Sequence, residues 1–454
     1  MTPAEPRIQA GIPAEAPDLV NTGPGARLAA RDRPGLASSH RKNRGRSTDG
    51  PRVYLHIGEP KTGTTFLQDA MWRNRSWLAG RGVTLPGFSH QDHSRASRDL
   101  RGAARVASDP AEPWAGEWDV LTRQALCARQ TAVISDELLA ACTARQADRA
   151  VRSVLAAEVH VILTVRDLAT LLPAEWQEKV KCRSTTPWEE WLDWVIGIES
   201  AVDRRSQAWF WNVHDRLAIL DAWSQHIPPD HVHVITMPQG GPAEALWERF
   251  ASVLGIDGEG ADLTRARANS SLGLPEAELL RRMNEALPEE MPYWFYTRHI
   301  KRILAHDILA TRPRQARLAL PQGRQAWARK QAEDLVAGLR DAKFDIVGDL
   351  AELLPPPRTG DFAESPGQLP EHLLLEAAVH AAAAFADRQY RRMYPAATPR
   401  RRLRDPRMMA GRLTWRALNG PRVRRALRSA SHLRAVRHLR VVIWRALVRP
   451  ARHS

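Results

Sequence analysis

Four short apolar runs separated by helical stretches set the expected architecture. VYLHIG from Val53, AVIS from Ala132, VHVILTV from Val159 and HVHVITM from His231 are rich in β-branched residues and read as strands. Between them, apolar residues recur at helical spacing in EWDVLTRQALCAR from Glu117, AVRSVLAA from Ala150 and HDRLAILDAWSQH from His214. Strands alternating with helices predict an α/β domain, a parallel sheet covered on both faces, with ligands beyond the carboxyl ends of the strands. Past about residue 260 the pattern turns helical: PEAELLRRMNEAL from Pro275 has proline in its first turn, RQAWARKQAEDLVAGLRDAKF from Arg324 is amphipathic, and EHLLLEAAVHAAAAFADRQY from Glu371 follows a Pro/Gly-rich stretch.

These patterns divide the chain into a disordered segment over 1–50, an α/β domain over 51–354, a linker and helix over 355–399, and an Arg-rich amphipathic tail over 400–454. The net charge of +15 belongs to the tail, whose 17 arginines and one acid (Asp405) give +16 and leave the remaining residues at −1. Apolar positions in the tail keep helical spacing in two pieces, from Val423 to Leu433 and from Val436 to Leu447. Two short basic amphipathic helices predict an anionic membrane surface or an acidic partner, with no nucleic acid expected; a disordered arginine-rich tail, or one packed on the domain's own acidic surface, is the alternative. Three widely spaced cysteines (Cys127, Cys142, Cys182) suggest neither a disulfide framework nor a zinc site. The sequence shows no signal-peptide core and no apolar run of about eighteen residues, so the expected location is cytoplasmic, peripheral to the inner face of a membrane.

The most informative segment is VYLHIGEPKTGTTFLQ, residues 53–68. A strand enters a loop holding Gly58, Pro60 and Gly63, and an apolar-periodic helix (Phe66, Leu67, Ala70, Met71) leaves it. Strand, loop and helix N-terminus in that order bring backbone amides together on an anion, and the hydroxyls of Thr64 and Thr65 add donors. A Walker A loop, GxxxxGK[ST], carries its lysine after the second glycine. Here the frame from Gly58 to Gly63 is kept, but Lys61 lies inside it. Only seven residues of the chain are lysines, so a lysine here stands against an arginine background. A compact ammonium can follow charge onto a leaving oxygen, where a planar guanidinium prefers a fixed partner.

PKTGTT resembles the 5′-phosphosulfate loop of sulfotransferases that use 3′-phosphoadenosine-5′-phosphosulfate (PAPS). The resemblance covers roughly residues 52–290 and implies a P-loop-like sheet, PAPS as donor and no metal. It implies further that Lys61 touches the bridging oxygen of the leaving phosphate while Gly58, Thr62, Gly63, Thr64 and Thr65 form the cradle. Sulfotransferases follow a later strand with an arginine and, eight residues on, a serine, which together hold the 3′-phosphate. Arg166 matches the arginine, but Ala174 stands where the serine would be, leaving Trp176, Gln177, Lys179 and Lys181 of the same segment as substitutes.

Transfer to a hydroxyl or amine acceptor needs a base. The strand AVIS runs into Asp136 and Glu137, and Glu137 is the first candidate, with Asp136, and His90 and His93 of SHQDHS, a polar loop after the first helical unit, as alternatives. Arg265, Arg267, Asn269 and Ser271 of RARANSSL are candidates to close over a nucleotide, or to cap the helix that follows. The scattered tryptophans and histidines are read as ordinary packing. Two rivals to a sulfotransferase are a P-loop kinase or NTPase, for which VISDE would be the Walker B strand, and a non-catalytic nucleotide-binding scaffold for surface glycan assembly.

Overall fold

The computed structural model describes residues 51–102, 114–197, 204–264, 271–312, 317–357, 362–363 and 365–394. The predicted segment 1–50, the residues Arg265, Arg267 and Asn269, and the tail 400–454 lie outside the described residues.

Six strands form one all-parallel sheet: β1 Arg52–Gly58, β2 Val83–Thr84, β3 Thr131–Ser135, β4 Glu158–Val165, β5 Val232–Thr236 and, skipping β6, β7 Asp345–Val347, in the spatial order β2-β3-β1-β4-β5-β7. A separate parallel pair joins β6 Arg317–Leu318 to β8 Phe362–Ala363. The four predicted strands are β1, β3, β4 and β5. Each is almost wholly buried, as continuous apolar runs covered on both faces should be.

The intervening helices are α1 Thr64–Arg73, α2 Arg75–Gly80, α3 His90–Leu100, α4 Glu117–Ala125, α5 Ala144–Arg152, α6 Leu168–Lys181, α7 Trp188–Ile196, α8 Arg204–His214, α9 Arg216–Ser224 and α10 Ala243–Val253. Strand alternation sorts them to two faces. Val53, Leu55, Ile57, Val161, Leu163 and Val234 pack with Trp118 of α4, Val151 of α5 and Trp223 of α9. Tyr54, Val133, Ile162 and Ile235 pack with Phe66 and Met71 of α1 and Trp247 and Phe250 of α10. Tryptophans 118, 176, 188, 223 and 247 are fully buried, in line with the packing reading.

The C-terminal helical stretch comprises α11 Leu274–Ala286, α12 Tyr293–Tyr296 running into a π-helical segment Thr297–Ile308, α13 Gln322–Ala342 and α14 Glu371–Met393. The chain divides into two compact units, Met1–Ala378 and Val379–Ser454, the boundary falling inside α14. In the second unit the described part is the end of that helix, with Tyr390 and Met393 exposed. Among the described residues no helix is long and apolar enough to cross a membrane.

Two segments differ from expectation. SHQDHS is not a loop: Ser89 and Asp92 form a reciprocal capping box that starts α3. The helix expected from Ala150 is α5, which begins six residues earlier behind the Thr143–Gln146 capping box and ends at Arg152.

Candidate functional site

β1 lies between β3 on one side and β4 on the other, and the chain turns to opposite sides of it after each. The loop after β1 is therefore flanked by the carboxyl ends of both neighbours, at the switch point where parallel sheets hold ligands. This topology brings Lys61, Glu137 and Arg166 to one edge.

The loop is held from below by buried hydroxyls. Thr62 Oγ1 lies 2.6 Å from both Glu59 O and Thr164 Oγ1, and Thr164 Oγ1 donates to Gly58 O at 2.9 Å. Thr62 is thus fully buried, and its hydroxyl serves the loop rather than the space above it. Gly58 has φ 113, and a Cβ there would sit 2.8 Å from Glu137 O, so only glycine lets the two strand ends approach. Lys61 itself has φ 64, a left-handed backbone that costs an L-residue about 1 kcal/mol or more. α1 opens with no acidic residue and no side-chain cap in its first turn, a helix N-terminus of the kind that suits an anion.

The strongest anchor is a residue that sequence reasoning passed over. Glu59 is fully buried, with Arg216 Nε at 2.9 Å from Oε1 and His214 Nδ1 at 2.8 Å from Oε2. Arg216 also donates to Arg166 O at 3.1 Å, tying the loop to the end of β4. His214 packs on Phe210 at 4.6 Å between ring centres and has Glu175 Oε1 3.6 Å from its Nε2. Burial opposes charge on His214, but Glu175 and Glu59 outweigh it and raise its pKa. The signal available in sequence was an acid two residues from Lys61 inside a short Gly-Pro loop.

Lys61 Nζ donates to Glu178 Oε2 at 2.8 Å. Lys301 Nζ reaches Oε1 of the same carboxylate at 2.7 Å, and Lys181 Nζ lies 3.6 Å from Oε2. Three of the seven lysines thus meet at one carboxylate. Burial works against the Lys61 charge, but Glu178, Glu175 and Glu137 together raise its pKa. Lys181 is nearly buried; desolvation and the neighbouring Lys61 and Lys301 outweigh Glu178 and lower its pKa.

Glu137 accepts a hydrogen bond from Thr64 Oγ1, so the first candidate base touches the loop directly. Burial pushes its pKa up against the opposing effects of Thr64 and Lys61, toward the range a general base needs. The alternatives are engaged differently. Asp136 caps the turn at Leu138 N (3.0 Å) and accepts from Ser94 Oγ (2.7 Å). His93 accepts from Ser135 N at 3.0 Å and pairs with Pro86 O at 2.9 Å, which spends both ring nitrogens on backbone. His90 is exposed at the start of α3.

Arg166 is half-buried at the head of α6, and its guanidinium makes no hydrogen bond or ion pair among the described residues. Burial lowers its pKa, against the charge of adjacent Asp167. Of the substitutes for the missing serine, Trp176 is spent in the core on Thr186 O (3.1 Å) and Lys179 lies over Trp209; Lys181 stays beside Lys61. The arrangement offers a strained lysine, a carboxylate of raised pKa, a helix N-terminus without acid or side-chain cap in its first turn, and an arginine whose fork of donors meets no acceptor among the described residues. Chemically it suits a ligand with two anionic groups.

No family model, no curated protein and no solved structure matches this chain.

Proposed function

We propose that the chain is a PAPS-dependent sulfotransferase-like enzyme on a P-loop-like sheet, passing a sulfuryl group to a hydroxyl or amine acceptor. The observation that carries the reading is the PKTGTT loop with Lys61 held in a left-handed backbone beside a carboxylate of raised pKa. The acceptor attacks sulfur in line, Glu137 takes its proton, and the S–O bond to the 5′-phosphate breaks. Lys61 and the leading amides of α1 stabilise charge on that phosphate. Lys61 can leave Glu178 because Lys301 and Lys181 still neutralise that carboxylate. Arg166 grips the 3′-phosphate, with Gln177 or Lys181 of α6 left to make up for Ala174. The arginine-rich tail, about +16, holds the enzyme at an anionic membrane.

The kinase reading would need Asp136 free for magnesium, whereas its carboxylate is bonded to Leu138 N and Ser94 Oγ. Thermal shift with adenosine 3′,5′-bisphosphate against ATP-magnesium separates the two, since a ligand at 100 times its Kd adds about 2.7 kcal/mol to stability. Stabilisation by ATP-magnesium alone overturns the proposal. Transfer of labelled sulfate from PAPS into an extract separates enzyme from scaffold.

A further inference from the structure

At the amino ends of the strands, far from the loop, lies a chain of four polar side chains that neutral imidazoles cannot satisfy. Asp345 Oδ2 is 2.6 Å from His233 Nδ1, His233 Nε2 is 2.9 Å from His160 Nδ1, and His160 Nε2 is 2.8 Å from Glu158 Oε1. These are three contacts, each needing one hydrogen. Two neutral imidazoles carry two. Starting from Asp345, His233 donates through Nδ1 and accepts through Nε2; His160 then donates through Nδ1. The lone pair on His160 Nε2 is left facing a carboxylate oxygen at hydrogen-bond distance. Either one more proton or a metal ion has to sit between them.

A third side chain of metal-ligating type lies at that point. His231, in the turn before β5, stacks on His160 with 4.2 Å between ring centres, and its Nε2 is 4.0 Å from the same Glu158 oxygen. Ligand atoms of Glu158, His160 and His231 all lie within 4.8 Å of one another. Two ligands at the 2.0–2.1 Å bonds of tetrahedral zinc stand about 3.3 Å apart, between the 2.8 and 4.0 Å found here. His160 is nearly buried, stacked also on Tyr54 at 4.5 Å, while Glu158 and His231 are partly exposed and give an ion access. His233 and Asp345 complete a carboxylate–histidine relay behind His160, as outer partners do for metal-bound imidazoles.

We propose that Glu158, His160 and His231 bind one divalent transition ion, zinc by ligand type and geometry, with a fourth position open to water. The ion cross-links the start of β4 to the turn entering β5. Eight residues of β4 separate Glu158 from Arg166, about 26 Å at strand rise, so its role is to hold the sheet rather than to act on the donor. The sequence reading that assigned no metal rested on cysteine spacing and on the sulfotransferase resemblance, and passed over His-Val-His at 231–233.

The test uses the full chain with its affinity tag removed. Elemental analysis should find about one zinc per chain, and zinc chloride added after chelation should restore the melting temperature lost. Cobalt in its place should give the intense visible bands of a four-coordinate site. His231→Ala, with unchanged circular dichroism, should weaken zinc binding at least tenfold and lose those bands; Asp345→Asn should weaken it by about 10 to 100-fold. A wild-type chain that keeps no metal, and that zinc stabilises no more than it stabilises His231→Ala, overturns the proposal and leaves a proton as the bridging cation. Because the site is remote from the loop, this result and the outcome of the donor-binding test are independent.

Discussion

Replacing Glu59 with Gln is the sharpest test of how the loop is held. The carboxylate is fully buried between Arg216 and His214, both themselves almost without exposure. The amide keeps the shape but removes the charge and turns a donor toward donors. Breaking a buried pair from one side costs about 3–5 kcal/mol, because the remaining charge is left without compensation. Roughly 300 ordered residues at about 2.1 cal/mol/K each give an unfolding entropy near 0.6 kcal/mol/K, so the melting temperature should fall by about 5–8 °C. The loss should also depend on pH. A histidine of raised pKa contributes stability that is complete below its ordinary 6.5 and disappears as pH rises through the folded value. The gap between wild type and Glu59→Gln should therefore be wider at pH 6 than at pH 9, by calorimetry or circular dichroism melts. A fall of 1 °C or less, equal at both pH values, would refute the reasoning and leave the Thr62–Thr164 hydroxyls as the real anchor.

Lys61→Ala should leave the fold intact and lower turnover about 10² to 10³-fold, measured by sulfate transfer from PAPS; near-normal turnover removes the central claim. Glu137→Gln should abolish turnover while donor binding survives. Because burial raises the Glu137 pKa, its charge costs stability as pH rises through the folded value, so the variant should melt above wild type at pH 8 and lose that advantage below about pH 4.5; equal melting at both would contradict the burial argument. Arg166→Ala should shrink discrimination between nucleotides with and without a 3′-phosphate in calorimetric titrations, and unchanged discrimination would mean that this group is read elsewhere. Deleting 400–454 should abolish sedimentation with anionic liposomes and spare donor binding, and the intact chain's sedimentation should fall steeply with salt; intact protein that ignores such liposomes at low salt rules out the membrane.

The central strands were legible because β1, β3, β4 and β5 are buried on both faces and so carry unbroken apolar runs. β2 and β7, of two and three residues, are too short for any period to register, and their pairing is decided by neighbours distant in sequence. The same division holds at the site. Gly58, Lys61 and Gly63 announce themselves because a sharp loop demands particular residues locally. Glu59, Glu178 and Lys301 do not, since their meaning lies in partners 117 to 157 positions away. His93 shows the converse: a polar residue that reads as chemistry in sequence has both ring nitrogens bonded to backbone.

The meeting of Lys61, Lys181 and Lys301 at Glu178 is locally frustrated. Three ammonium groups bring nine hydrogens to a carboxylate with about four lone-pair sites; Lys301 places one on Cys182 Sγ at 3.1 Å, and Lys181 stays 3.6 Å from the nearest carboxylate oxygen. The carboxylate alone does not satisfy the set, and the partly exposed Lys61 and Lys301 can turn their remaining hydrogens to water. An anion bound there would add acceptors that this set lacks. Lysine side chains regroup by rotamer changes on the picosecond to nanosecond scale, so adaptation at this edge of the sheet would need no hinge in the backbone.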